Sequence, residues 1–294
     1  MGQLIAKKYP TKLFLKAADH TYVECGSGAK AWACWGGKSG GTAFNGGSGS
    51  TARADAIAQP DERANITCYL INGVCHQAAN RILLPAGILV VGAKGYSVSQ
   101  AIFGAYGKSV IGPCHGNFVQ YPDVSGDLEQ CASALSLQSV PAPTAKQAQR
   151  QGAARSRLLT LHKRAANATD ALESMQVHAS AFERQVSTAL AADPSPTLSA
   201  GLRQAKVNAD MEHLRLCQNF ALQETDAVAF VKDFNRMTLD FQDNMANAMN
   251  KTQYLKVFDT TPDERIYLAD PEILDEVFGP GTALAVYGDN LQPR

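Results

Sequence analysis

The stretch TCYLINGVCHQAANRILL, residues 67–84, decides how the rest of the chain is read. Residues 66–71 form an apolar, β-prone run, Asn72-Gly73 is a turn signal, and Ala78, Ala79, Ile82 and Leu83 recur at helical spacing. The pattern predicts a strand, a turn and a helix over residues 74–84, with Cys75 at the helix start. A helix N-terminus carries unpaired N–H groups and a partial positive charge, and both favour a thiolate over a thiol. Cys75 is therefore the candidate nucleophile. The plainer alternative is an inert cysteine, since free cysteine is among the most buried residue types.

On the N-terminal side, three short strands are expected. Residues 12–16 alternate around Leu13 and Leu15, residues 20–25 read HTYVEC, and residues 31–35 are a third run. In a strand, His20, Tyr22 and Glu24 share one face. Residues 36–50, GGKSGGTAFNGGSGS, have the composition of a flexible loop. Gly37-Lys38-Ser39 fails as a phosphate loop, because Trp32 stands where the pattern requires glycine. A polar, alanine-rich segment at 52–64 predicts a turn or two of helix, and residues 88–91 another strand. Glycines then dominate 92–107, and residues 117–121 end this half as a last short strand.

After Pro141-Ala142-Pro143 the character changes. Leu158, Leu161, Ala165, Ala168, Leu172, Met175, Ala179, Phe182 and Val186 recur at steps of three and four, a sustained heptad seam. Pro194 and Pro196 stop it. A second seam runs from Leu202 through Phe220, Phe230 and Phe241 to Met245, interrupted by Glu212 and Gln223. Two such helices would fold back as an antiparallel hairpin, each arm on the order of 50–70 Å long. In the tail, Asp270 is an N-cap with Pro271 at the first helical position, predicting a short helix over 271–278 ended by Gly279-Pro280. The expected fold is α+β: a catalytic domain at 1–140, a helical hairpin (antiparallel coiled coil) at 141–258, and a tail at 259–294.

Composition narrows the function classes. The 27 basic residues are balanced by 27 acidic ones, so the chain lacks the charge footprint of a nucleic-acid binder. No window approaches the ~20 apolar residues of an integral membrane segment. The N-terminus MGQLIAKKYP lacks a signal-peptide core. Seven cysteines, an odd and scattered set, fit free thiols in a reducing compartment. A cytoplasmic protein is expected, or one exported without a classical signal peptide.

A cysteine at the start of a core helix, preceded by Asp19-His20-Thr21-Tyr22-Val23 and a hairpin, resembles the papain-like cysteine hydrolases. The order of histidine strand before cysteine helix is that of the circularly permuted NlpC/P60, lecithin-retinol acyltransferase-like type. The resemblance covers roughly residues 12–121. It implies a hydrolase acting on an amide bond (peptide, isopeptide or side-chain amide) through a thioester, with Cys75 as nucleophile and His20 as base. The same Cys-His site would serve acyltransferase or transglutaminase-type transfer. Related bacterial cysteine hydrolases with an added helical domain include effectors and toxins. Oxyanion stabilisation would come from the Cys75 backbone N–H and a second donor, Asn72 or Tyr69. No residue on the strand clearly orients His20; Glu24 lies two positions beyond Tyr22.

His115 is the alternative base, in the unpermuted order, but it sits in a glycine turn. His76 follows Cys75 directly and points about 100° away on a helix, a poor partner. His162, His178 and His213 fall within the helical arms and read as solvated surface residues. Cys75-His76 and Cys114-His115 lack the paired spacing of zinc ligands, so no metal and no cofactor is expected. The expected partners are a protein or peptide-like substrate and a possible protein partner on the helical hairpin. In a third, non-enzymatic reading the hairpin is a coiled-coil interaction module on an inert platform.

Overall fold

A computed structural model describes residues 2–64, 69–108, 168–192, 194–221 and 224–292. It is a mixed α+β fold. Strands β1 (Gly2–Pro10), β2 (Asp19–Cys25), β3 (Ala31–Trp32) and β4 (Thr42–Gly49) form one antiparallel sheet in the order β3-β2-β1-β4. Helices α1 (Thr51–Ala64), α2 (Cys75–Leu83) and α3 (Tyr96–Phe103) follow. Then come α4 (Ala168–Leu190), α5 (Pro196–Ala221), α6 (Ala227–Ala248), α7 (Lys251–Phe258), α8 (Pro271–Phe278) and α9 (Thr282–Tyr287).

The sheet differs from expectation in β1 and in the edge strand β4. β1 has Leu4 and Ala6 on the buried face and pairs with β2 and β4. Residues 12–16, expected as a strand, contribute only an isolated bridge from Leu13 to Leu291. The glycine-rich stretch is not all loop, since its second half is β4. Its small residues answer a close approach: a Cβ on Gly49 would come within 2.9 Å of the backbone at Pro85 and Ala86. Residues 88–91 form no strand. The Asn80 side chain accepts from the Val90 N–H at 2.8 Å and the Asn45 side chain donates to the Leu89 carbonyl at 2.8 Å, taking the place of a ladder.

The run before Cys75 also departs from a strand over its described residues. Residues 69–73 make a turn closed by a Tyr69–Gly73 bridge, with Leu70 in the left-handed region at φ 62°. Tyr69, Leu70, Ile71 and Val74 are all fully buried. Non-sheet partners satisfy this backbone: His213 Nε2 donates to the Leu70 carbonyl at 2.7 Å, and the Lys108 N–H to the Asn72 carbonyl at 2.7 Å.

The second apolar seam is two helices, not one hairpin arm. The chain bends at Glu224 and Thr225, and Asp226 restarts it as an N-cap accepting from the Ala229 N–H at 2.8 Å. α6 returns along α5, with Phe220 and Phe230 stacked at 4.8 Å. Residues 158–167 of the first seam lie outside the described residues, as do 117–121. One apolar cluster joins the turn before Cys75, α3, the helices α4 to α7, and Ile266, Leu268 and Ile273 of the tail. A second lies between the sheet and helices α1 and α2, around Leu4, Val23, Ile57 and Ile82. Among the described residues, no helix is long and apolar enough to cross a membrane.

Candidate active site

Cys75 is the first residue of α2, after Val74 in extended conformation. The Gln77 side chain accepts from the Val74 N–H at 3.1 Å and steadies this entry. The thiol donates to the Asp19 carbonyl at 3.6 Å. Asp19 begins β2, so the strand presents its next residue, His20, to the same place. Across the sheet His20 pairs with Tyr9, their rings 4.7 Å apart.

Both ring nitrogens of His20 are organised by α8, which lies some 250 residues further along the chain. Asp270, the N-cap, divides its carboxylate: Oδ1 accepts from the Glu272 N–H at 2.9 Å, and Oδ2 lies 3.2 Å from His20 Nδ1. Six residues on, the Glu276 carboxylate accepts from the Gly36 N–H at 2.7 Å. That contact fixes the glycine loop, and the Gly37 carbonyl accepts from His20 Nε2 at 3.0 Å. Gly36 is required here. Its φ is +74°, and a Cβ would come within 2.4 Å of His20 Cε1.

With Nε2 committed to Gly37, Nδ1 is the remaining ring nitrogen. It has ion-pair contact with Asp270 but no aligned hydrogen bond. Burial opposes a charge on His20, but the close approach of Asp270 and Cys75 outweighs it, raising its pKa to about 10. Cys75 is 5% exposed, His20 0% and Asp270 4%.

Of the residues singled out from sequence, Cys75 and His20 meet, and His115 lies outside the described residues. Glu24 pairs with Lys7 at 2.7 Å and does not orient His20. His76 shares the Cys75 acceptor: its Nε2 donates to the Asp19 carbonyl at 3.0 Å, leaving Nδ1 to accept from Ser99 at 2.8 Å. Burial lowers its pKa to about 4, so it is neutral. Tyr69 has a different task from oxyanion binding. Its hydroxyl accepts from the Asp270 N–H at 2.6 Å and donates to the Leu268 carbonyl at 3.4 Å. Asn72 is 1% exposed, and its side-chain amide has no hydrogen-bond partner among the described residues.

His178 and His213 are not solvated; both are buried, because Asp210 and Lys108 meet them in the interior. His162 lies outside the described residues. Among the described residues, no three of His, Cys, Asp and Glu come together as metal ligands. Asp270 was visible from sequence only as a helix cap, since nothing local ties it to His20. No protein-family model matches the chain, and neither a curated protein nor a solved structure does.

Proposed function

We propose that the chain is a cysteine hydrolase of the papain-like, circularly permuted NlpC/P60 kind, cleaving an amide bond through a thioester. The observation that carries this reading is a helix-start cysteine, a strand histidine and a carboxylate brought into one buried cluster, with the second imidazole nitrogen held by a carbonyl. Cys75 reacts as the thiolate of a thiolate–imidazolium pair in which His20 carries the proton, and Sγ attacks the substrate carbonyl carbon. The resulting oxyanion takes the Cys75 backbone N–H, an orphan donor of the first helical turn. Asn72 is the better second donor, because its buried amide lacks a partner among the described residues and the Tyr69 hydroxyl is occupied. His20 returns the proton to the leaving nitrogen as the C–N bond breaks. It then deprotonates the water that resolves the thioester, and an amine or alcohol in that place would make the same site an acyltransferase.

Alkylation by iodoacetamide at mildly acidic pH, with peptide mapping, tests the site without a known substrate. Cys75 labelling should fall about 10²–10⁴-fold in His20→Ala if His20 holds its proton. Cys25 is the internal control: it is more exposed, its pKa is lowered by hydrogen bonds from Ser27, and its labelling should not change. Once a substrate is found, Cys75→Ala should abolish turnover. Cys217→Ala should not, since burial raises that thiol to about 12. Equal Cys75 labelling with and without His20 would end the proposal.

A further inference from the structure

A second polar assembly lies between α3, α4, α5 and α7, around a cavity of about 460 Å³. Lys206 and His178 form part of its wall, and both are buried. Behind them, Lys206 Nζ donates to Asp210 Oδ1 at 2.6 Å, and Lys108 Nζ donates to the same oxygen at 2.8 Å. Two buried ammoniums thus share one carboxylate, and among the described residues one positive charge is left without a counter-charge. A buried charge in that state is costly unless something pairs with it. Burial, opposed by Asp210, lowers the Lys206 pKa to about 8, so it is still mostly protonated at neutral pH.

The cavity brings more of the same sign. Arg184 and Lys256, both exposed, stand on its lining, with Gln100 and Thr188 as neutral hydrogen-bonding groups; none of its described lining residues is Asp or Glu. We infer that this cavity binds a small, multiply charged anion of the phosphate class. Lys206, Lys256 and an imidazole around one space, with Arg184 at its rim, favour a dianion over a single carboxylate, and the ligand supplies the counter-charge that the Lys108–Lys206–Asp210 group lacks among the described residues. The inference does not rest on the cysteine chemistry: the cavity lining does not include Cys75 or His20, and the Lys108 N–H reaches only the Asn72 carbonyl beside that site.

The test is the melting temperature of the full chain, titrated with inorganic phosphate and pyrophosphate at constant ionic strength. Acetate serves as the singly charged control. Phosphate should raise the midpoint saturably, pyrophosphate at lower concentration, and acetate not at all. The double variant Arg184→Ala/Lys256→Ala changes only exposed side chains; its half-saturation should weaken at least about tenfold. An equal rise with acetate, no saturation, or an unchanged half-saturation in the double variant would overturn the assignment.

Discussion

Two buried clusters in this molecule each set imidazoles beside an aspartate, and they hold those imidazoles in opposite states. At the cysteine site, Asp270 and Cys75 are the neighbours that raise His20, whose pKa goes up to about 10 despite burial. In the helical half, Asp210 is held well below the usual carboxylate range by Lys108, Lys206 and His178, although burial opposes this. There burial wins at the imidazoles. The His178 pKa falls to about 4, and that of His213 falls well below its ordinary value with Lys108 adding to the effect. His213 is accordingly a neutral ring that donates from Nε2 to Leu70 and accepts from Lys108 at Nδ1, 3.1 Å away. Burial opposes the charge at all three imidazoles, so by itself it does not separate their states. What decides is whether lysines already occupy the carboxylate.

The largest break in the comparison is Asp210→Asn. It would leave two buried ammoniums facing one another without a carboxylate, costing about 3–5 kcal/mol of stability. The check is the denaturant midpoint, read with an unchanged slope so that the loss is assigned to the folded state. A loss below about 1 kcal/mol would mean that one lysine sheds its proton instead.

Next in size is Asp270→Asn. Asparagine is as good an N-cap as aspartate, so α8 should survive while the charge beside His20 is removed. Rate should drop by about 10–10²-fold, part of what a positioned acid–base pair supplies. The alkaline limb of the pH–rate profile should move from near 10 down toward the ordinary histidine range. Stability carries the same sign. The folded-state pKa of His20 is raised, so its contribution is complete below the unfolded value of 6.5 and is lost as pH rises through about 10. Wild type should therefore lose stability across that window, and Asp270→Asn should lose less. An unmoved alkaline limb would show that Cys75, not Asp270, sets the His20 proton.

The two clusters were unequally visible in the sequence, for physical reasons. Cys75 at a helix start and His20 on a strand are local features, announced by an Asn-Gly turn and a short alternating run. Helix α8 was legible to its end residues because Asp270, Pro271 and Gly279 punctuate it. That Asp270 faces His20 was not legible, since the two are brought together only by the tertiary fold. The lysine cluster was hidden more thoroughly: Lys206, Asp210 and His213 occupy polar positions beside an apolar seam, where solvation is the default, and Lys108 arrives from a distant segment. β4 was misread because Gly46, Gly47 and Gly49 have loop composition, whereas their smallness lets a backbone pass close by. The break between α5 and α6 was obscured because the apolar period continues on both sides of the Asp226 cap.

The smallest effect, and the sharpest for the cysteine cluster alone, is expected from Tyr69→Phe. The ring packs against Trp35 at 5.2 Å and would stay, so the change removes only a hydroxyl. That hydroxyl accepts from the Asp270 N–H at 2.6 Å and donates to Leu268 at 3.4 Å, fixing the backbone from which the Asp270 carboxylate projects. Without it a buried N–H loses its acceptor, at a cost of about 1–3 kcal/mol. A purely structural role would end there, lowering the melting temperature and leaving the pH profile in place. A positioning role predicts more, because Asp270 Oδ2 is 3.2 Å from His20 Nδ1 and already off hydrogen-bond alignment. Any drift of that backbone weakens the contact, so the alkaline limb should shift down in the same direction as in Asp270→Asn, by less. In Asp270→Asn itself, adding Tyr69→Phe should move the limb no further, since the charge it positions is already gone. Independent, additive shifts would show that Tyr69 acts on His20 by another route.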